Sequence, residues 1–260
     1  MRLALTLIIT VFIISSCGQT EKFPGFVTEK VPLEELKMEE GMNIASRANP
    51  ESSSSEDYAR LDTLHKLQVS YLEKDDDFEL ATYNLIWRQA KNDFRSKVLP
   101  SEEAARWFEL TGFLFQLTGD AEVADELERI VYTSPLSGNH DLEAMVAPYI
   151  FTRKGDHVHV NLFFPAEISY NHSLNGEVHI SMQTEYPRSG RVYVNFGMEI
   201  KRYIELWIRI PEWAHDATVT VKGVKYLSHP GSYSRIAKQW KEGDQVEIVF
   251  SLQNRPGYLK

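Results

Sequence analysis

The hydrophobic period changes once along this chain, and that change limits what the chain can fold into. Between Tyr58 and Tyr132 apolar residues recur at helical spacing, and beyond Pro148 they alternate with polar ones. A helix-period pattern does not settle as a strand, nor a period of two as a helix, so helices and strands must be segregated in chain order. Tyr58, Leu61, Leu64, Leu67, Tyr71 and Leu72 mark a first helix, with Asp57 or Ser55 as its cap. Asp75-Asp76-Asp77 break it and cap a second, whose apolar positions are Phe78, Ala81, Leu85, Ile86, Ala90 and Phe94. Ser101 reads as the cap of a third helix, with Glu102 and Glu103 at the positive end of its dipole. Trp107, Leu110, Leu114 and Leu117 line its apolar face. Gly119 stops it, and Asp120 caps a fourth through Ala124, Leu127 and Ile130. The stretch 133–147, with Pro135 and Gly138, reads as loop or broken helix.

In the second half, Val158, Val160, Leu162 and Phe164 alternate with His157, His159, Asn161 and Phe163. The same alternation recurs around Val178, Val192 and Leu206, and later runs cover 218–221, 233–237 and 245–250. Gly155-Asp156, Asn175-Gly176, Ser189-Gly190 and Gly243-Asp244 supply the turns between them. The expected fold is therefore α+β, a short antiparallel helical segment over 58–133 followed by an antiparallel β-sandwich over 145–260.

The N-terminus predicts export. Arg2 is the only charge before the apolar run Leu3 to Ile14, which is short for a membrane span of about 20 residues and suits a signal-peptide core. Ile14-Ser15-Ser16-Cys17-Gly18 resembles a bacterial lipobox, in which the thiol of Cys17 takes a lipid. Residues 1–17 are thus expected to be a lipoprotein signal peptide, and 18–57 a flexible tether, interrupted by prolines and the serine run 52–55. A short helix over 33–42 is compatible with its pattern. The expected location is an exported, membrane-anchored lipoprotein in the periplasm or on the outer membrane or cell surface. Cys17 is the sole cysteine, which excludes disulfides and thiolate metal cages. A formal charge of −9 with no dense basic stretch excludes nucleic acid as a partner.

Three segments in order carry a family resemblance. They are the hairpin Leu117-Thr118-Gly119-Asp120 running on to Asp125-Glu126-Leu127-Glu128-Arg129-Ile130-Val131-Tyr132, the strand Leu206-Trp207-Ile208-Arg209-Ile210-Pro211-Glu212-Trp213-Ala214, and Trp240-Lys241-Glu242-Gly243-Asp244. His159-Val160-Asn161-Leu162-Phe163 and Asn84-Leu85-Ile86-Trp87 fit the same pattern. From about Leu80 to the C-terminus the chain resembles the β-L-arabinofuranosidases of glycoside hydrolase family 127. The resemblance implies an (α/α) barrel followed by β-sandwich domains, cleaving terminal arabinofuranose. It also implies a zinc site built from a Glu-x-Cys element and a Cys-Cys pair, with one cysteine as nucleophile. This chain departs from that pattern at each point: Ser101-Glu102-Glu103-Ala104 stands where Glu-x-Cys belongs, and Asn139-His140-Asp141-Leu142-Glu143 where Cys-Cys belongs. Four helices also cannot close a ring of about a dozen helices of ~11–12 residues.

Candidate sites follow from what remains. Glu102 and Glu103 are the candidate catalytic carboxylates, because glycosidases work with such pairs; the plainer role is dipole stabilisation. His140, Asp141 and Glu143 form the densest polar cluster on a loop, and Tyr186 and Tyr193 offer aromatic faces for a sugar. His157 and His159 share a strand face without a third ligand, so no metal site and no cofactor is expected. The function expected is a lipid-anchored relative of family 127 in glycan handling, without its own hydrolysis, binding carbohydrate or a partner protein. An active carboxylate-based hydrolase and a decayed fragment of one are the alternatives.

Overall fold

The computed structural model describes residues 29–38, 54–74, 77–133 and 142–260. Five α-helices precede the main strands: α1 (Ser55–Lys74), α2 (Asp77–Phe94), α3 (Ser101–Thr118), α4 (Ala121–Thr133) and α5 (Leu142–Ile150). α3 is the hub of the helical layer because it is apolar almost all round. Ala104, Trp107, Phe108, Leu110, Leu114 and Phe115 are all buried, as expected of a helix with neighbours on every side. Gly119 ends it in the left-handed conformation, φ 64°, and its N–H donates to the Phe115 carbonyl, as its sequence position predicts. Its N-cap is Pro100 rather than Ser101, which instead begins the helix; Pro sets the entry angle and Ser101 makes no cap bond. Gly112 admits the Tyr149 ring of α5, whose hydroxyl sits where a Cβ would be.

The strands form two sheets. The first orders β1 (Glu29–Lys30), β3 (Phe151–Lys154), β4 (His157–Val160), β8 (Arg202–Ile210) and β11 (Ser232–Trp240). The second orders β10 (Val224–Tyr226), β9 (Thr218–Val221), β12 (Gln245–Val249), β7 (Arg191–Met198), β6 (Glu177–Thr184), β5 (Ala166–Asn171) and β2 (Leu36–Met38). Ile204, Leu206, Ile208 and Ile210 from the first sheet meet Val192, Val194, Phe196, Val246 and Ile248 from the second, all buried. Phe196 stacks on Trp240 with centroids 3.9 Å apart. Among the described residues all pairings are antiparallel except β4 with β8, which is parallel, so the sandwich is antiparallel in the main, as expected. Three strands of the other sheet lie between β4 and β8 in sequence, and a parallel neighbour requires a long crossover of that kind.

Part of the expected tether is built into the sandwich. Glu29–Lys30 pairs with β3, and Leu36–Met38 pairs with β5. In place of a helix over 33–42, a 3-10 turn at Leu33–Glu35 leads into the strand. The reason is edge protection: β3 and β5 would otherwise present open ladders of N–H and C=O groups. Val31 and Leu36 bury into the core, and Arg153 bonds Glu35 at 3.2 Å. Among the described residues no helix is long and apolar enough to cross a membrane.

The helical layer meets the sandwich through α4, which carries charge on both flanks. On one flank Glu126 takes a bidentate pair from Arg129 at 2.8 and 2.6 Å and accepts the Trp107 indole N–H at 2.7 Å. On the other, Asp125 and Glu128 reach Arg209 of β8, which is fully buried.

Candidate functional site

The Arg209 junction places a fully buried guanidinium between two carboxylates. The guanidinium donates to Asp125, to Glu128 at 2.6 Å and to the Asn161 carbonyl, and its carbon lies 5.1 Å from the Phe163 ring centroid. Asp125 also accepts the Glu212 N–H at 3.0 Å. Burial opposes the Arg209 charge, yet Glu128 and Asp125 beside it hold the guanidinium pKa above its ordinary value. Burial raises the Asp125 carboxyl to about 6 against the pull of Arg209. Glu128 Oε2 and the hydroxyls of Tyr132 and Tyr186 are buried without a hydrogen-bond partner. This knot ties helix to sheet.

A surface feature with the shape of a binding site lies on the outer face of the seven-stranded sheet. There the β6–β7 register sets Gln183 against Tyr193, and the β7–β12 register sets Tyr193 against Glu247. Alternation puts Val192 and Val194 into the core and therefore Arg191 and Tyr193 outward. The turn after β6 rises beside them, closed by Arg188 N–H donating to the Glu185 carbonyl at 2.8 Å. The result is a shallow groove of about 370 Å³ lined by Pro165, Gln183, Thr184, Glu185, Ser189, Arg191 and Tyr193. Arg191 donates to Glu247 at 2.6 Å and to the Tyr193 hydroxyl at 3.4 Å, which steadies the ring. Six polar or aromatic side chains around one open cleft suit a ligand rich in hydroxyls.

The residues singled out from sequence are scattered. Tyr193 lines the groove. Tyr186 does not: it is 7% exposed and packs on Tyr132, Phe163 and Phe250, so it is core. Glu102 is exposed, whereas Glu103 is buried and accepts the Tyr58 hydroxyl of α1, so the two carboxylates do not face one cleft. Glu143 lies on α5, and His140, Asp141 and Cys17 fall outside the described residues.

Sequence reasoning missed a Ser-His-Glu line on the same sheet face. Ser169 Oγ lies 3.0 Å from His179 Nδ1, and His179 Nε2 lies 3.7 Å from Glu167. The Asn175-Gly176 turn, with φ of 64° and 95°, fixes the hairpin register that pairs Ser169 with His179, and it was the available signal. A nucleophile also needs donors for an oxyanion, and here β5 and β6 pair with strands on both sides. The line is a cross-strand pair on a solvated face.

Residues 157–252 match the family model described as the middle domain of β-L-arabinofuranosidase, GH127. The chain resembles glycoside hydrolase family 127, in shortened form. Two solved structures bear the fold out. A glycoside hydrolase aligns at TM-score 0.50 and 23% identity, covering 59% of this chain and 34% of its own. A GH127 β-arabinofuranosidase aligns at TM-score 0.52 and 22% identity, covering 60% and 32%. A GH127 β-L-arabinofuranosidase from Geobacillus stearothermophilus T6 aligns at 0.46 and 21%, covering 59% and 33%. The chain thus spans about a third of the length of these structures. None of the curated proteins matches it significantly. The zinc site that the family 127 resemblance implies needs thiolates, and the only cysteine is Cys17. Among the described residues no group of three or more His, Cys, Asp or Glu is placed to hold a metal. These residues do not fit that metal.

Proposed function

We propose that this protein is an exported, lipid-anchored relative of the family 127 enzymes that binds glycan without cleaving it. The observation that supports this reading is the groove beside Tyr193, on the portion of the chain that matches the family 127 middle domain. Sugars are recognised by an aromatic face against their C–H bonds and by amide, hydroxyl and guanidinium groups against their hydroxyls, and the groove offers each of these. Carboxylate-based hydrolysis needs two carboxylates flanking the bond to be broken. Of the groove's neighbours, Glu185 lines the cleft while Glu247 is engaged by Arg191.

The test is a calorimetric titration with arabinose-containing oligosaccharides. The Tyr193→Ala variant is expected to bind about five- to tenfold more weakly, the loss of a stacking contact of about 1 kcal/mol, with unchanged thermal stability. Equal binding by variant and native protein, or no binding by either, would remove the groove from consideration.

The anchor rests on the apolar run Leu3 to Ile14 and the Ser15-Ser16-Cys17 context. Cys17→Ser is expected to leave the protein unprocessed or to release it from the membrane fraction. A variant that is cleaved normally and stays membrane-bound contradicts lipid attachment.

A further inference from the structure

α2 is apolar on two opposite sides, and only one of them is buried. Tyr83, Trp87, Ala90 and Phe94 are buried against the other helices. Phe78 and Leu85 are 75% and 59% exposed, and Ala81 between them is exposed too. At about 100° per residue, Phe78, Ala81 and Leu85 fall on one stripe and Trp87 stands about 180° from Phe78. The apolar positions read from the sequence therefore divide between two faces. Leu72, 68% exposed near the end of α1, flanks the same turn as Phe78. Scattered exposed leucines need no explanation, but a helix stripe with spacing i, i+3, i+7 has the form of a packing surface.

We infer that this stripe is where two copies of the chain meet, α2 against α2 in antiparallel order. A two-fold interface must be self-complementary, and this helix is. Turned on itself about a point between Ala81 and Thr82, it sets Phe78 against Leu85 of the partner at each end. The small Ala81 lies at the centre, where the backbones approach most closely. The charges follow the same order. Asp77 stands exposed at the first turn, while Arg88 and Lys91 toward the other end share the single carboxylate of Glu122, leaving that end net positive. With a rise of about 1.5 Å per residue, the antiparallel pairing brings Arg88 within about 3 Å axially of the partner's Asp77 level. It also opposes the two helix dipoles. A membrane surface fits poorly, because the run Asp75-Asp76-Asp77 stands in sequence between Leu72 and Phe78.

The full-length chain supplies its own test, because Cys17 is its only cysteine. Ala81→Cys should give a disulfide-linked dimer as the major species when cells are treated with a thiol oxidant. The native chain and an exposed control on the seven-stranded sheet, Glu177→Cys, should stay monomeric on a non-reducing gel. Adding Leu85→Glu to Ala81→Cys should reduce the dimer at least about tenfold. Asp77→Arg or Arg88→Glu alone should reduce it, and the two together should restore it. A monomeric Ala81→Cys chain overturns the proposal, as does equal crosslinking through Glu177→Cys. A mixed disulfide to a different polypeptide also overturns it and assigns the stripe to a separate partner. Dimer that ignores both the Leu85 and the charge substitutions places the contact elsewhere.

Discussion

Arg209→Met is expected to destabilise the protein by about 3–5 kcal/mol at neutral pH, the cost of removing one partner from a buried ion pair. Glu128 is almost fully buried, at 1% side-chain exposure, and Arg209 supplies its ion pair while its second oxygen has no partner at all. Asp125 keeps only the Glu212 N–H. At about 2–4 °C per kcal/mol for a chain of this size, the thermal midpoint should fall by about 10 °C. The loss should also depend on pH, with a definite sign. In the native protein burial already holds the Asp125 carboxyl at about 6, above its ordinary 3.8. A carboxyl raised on folding favours the folded state most fully below its unfolded value, and that advantage is lost as pH rises through the folded value. Without Arg209 the Asp125 carboxyl moves higher still, so the variant should recover stability relative to native between about pH 7 and pH 4. Urea denaturation of native and variant across that range checks it. A penalty that is constant with pH would mean the carboxylates find other partners. Adding Glu128→Gln and Asp125→Asn to Arg209→Met should recover part of the loss, since neutral replacements remove the stranded charges.

Trp107→Ala is the second large effect, also about 3–5 kcal/mol, for truncation of a fully buried indole. Trp107 stacks on Trp87 with centroids 6.0 Å apart, meets Phe94 edge-on at 5.3 Å, and bonds Glu126 of α4. It therefore joins α2 and α4 through α3, and its loss should loosen all three. Trp107→Phe keeps an aromatic ring and loses the N–H to Glu126, which Arg129 continues to hold, so it should cost less, about 1–2 kcal/mol. Equilibrium unfolding followed by circular dichroism distinguishes them. Equal effects of Phe and Ala would shift the weight from packing to the indole hydrogen bond.

The period change at the helix-sandwich boundary was legible because both halves have a covered side, and coverage imposes periodicity. The same logic explains the errors. Phe78, Ala81 and Leu85 carry helical spacing that reads as core, yet spacing reports only that residues share a face, not that something covers it. Residues 29–38 read as tether because Pro32, Glu34 and Glu35 look solvated, and two-residue edge pairing is set by the sheets' unfilled borders rather than by local pattern. Ser101 was a reasonable cap by type, but Pro100 already fixes the entry geometry. The groove was half legible. Tyr193 stood out as an outward aromatic, while Tyr186, close by in sequence, turned out to be core because the chain turns inward after Thr184. Gln183, Glu185, Ser189 and Arg191 have no sequence signature, since a groove gathers them only through hairpin register. The Arg209 junction spans residues 84 and 81 positions apart, beyond the reach of any local rule.

Binding without cleavage is tested most directly by an aryl β-L-arabinofuranoside assay on the purified protein, with and without zinc. The family's mechanism, as the resemblance implies it, needs a thiolate nucleophile, and the sole cysteine of this chain lies at position 17, remote in sequence from residues 157–252 that match the family. Loss of a nucleophile commonly costs several powers of ten in rate, so release of the aryl group should stay at background under both conditions. A Glu102→Gln, Glu103→Gln double variant should be indistinguishable from the native protein. Turnover well above background that vanishes in that variant would contradict this account and identify a hydrolase working through carboxylates.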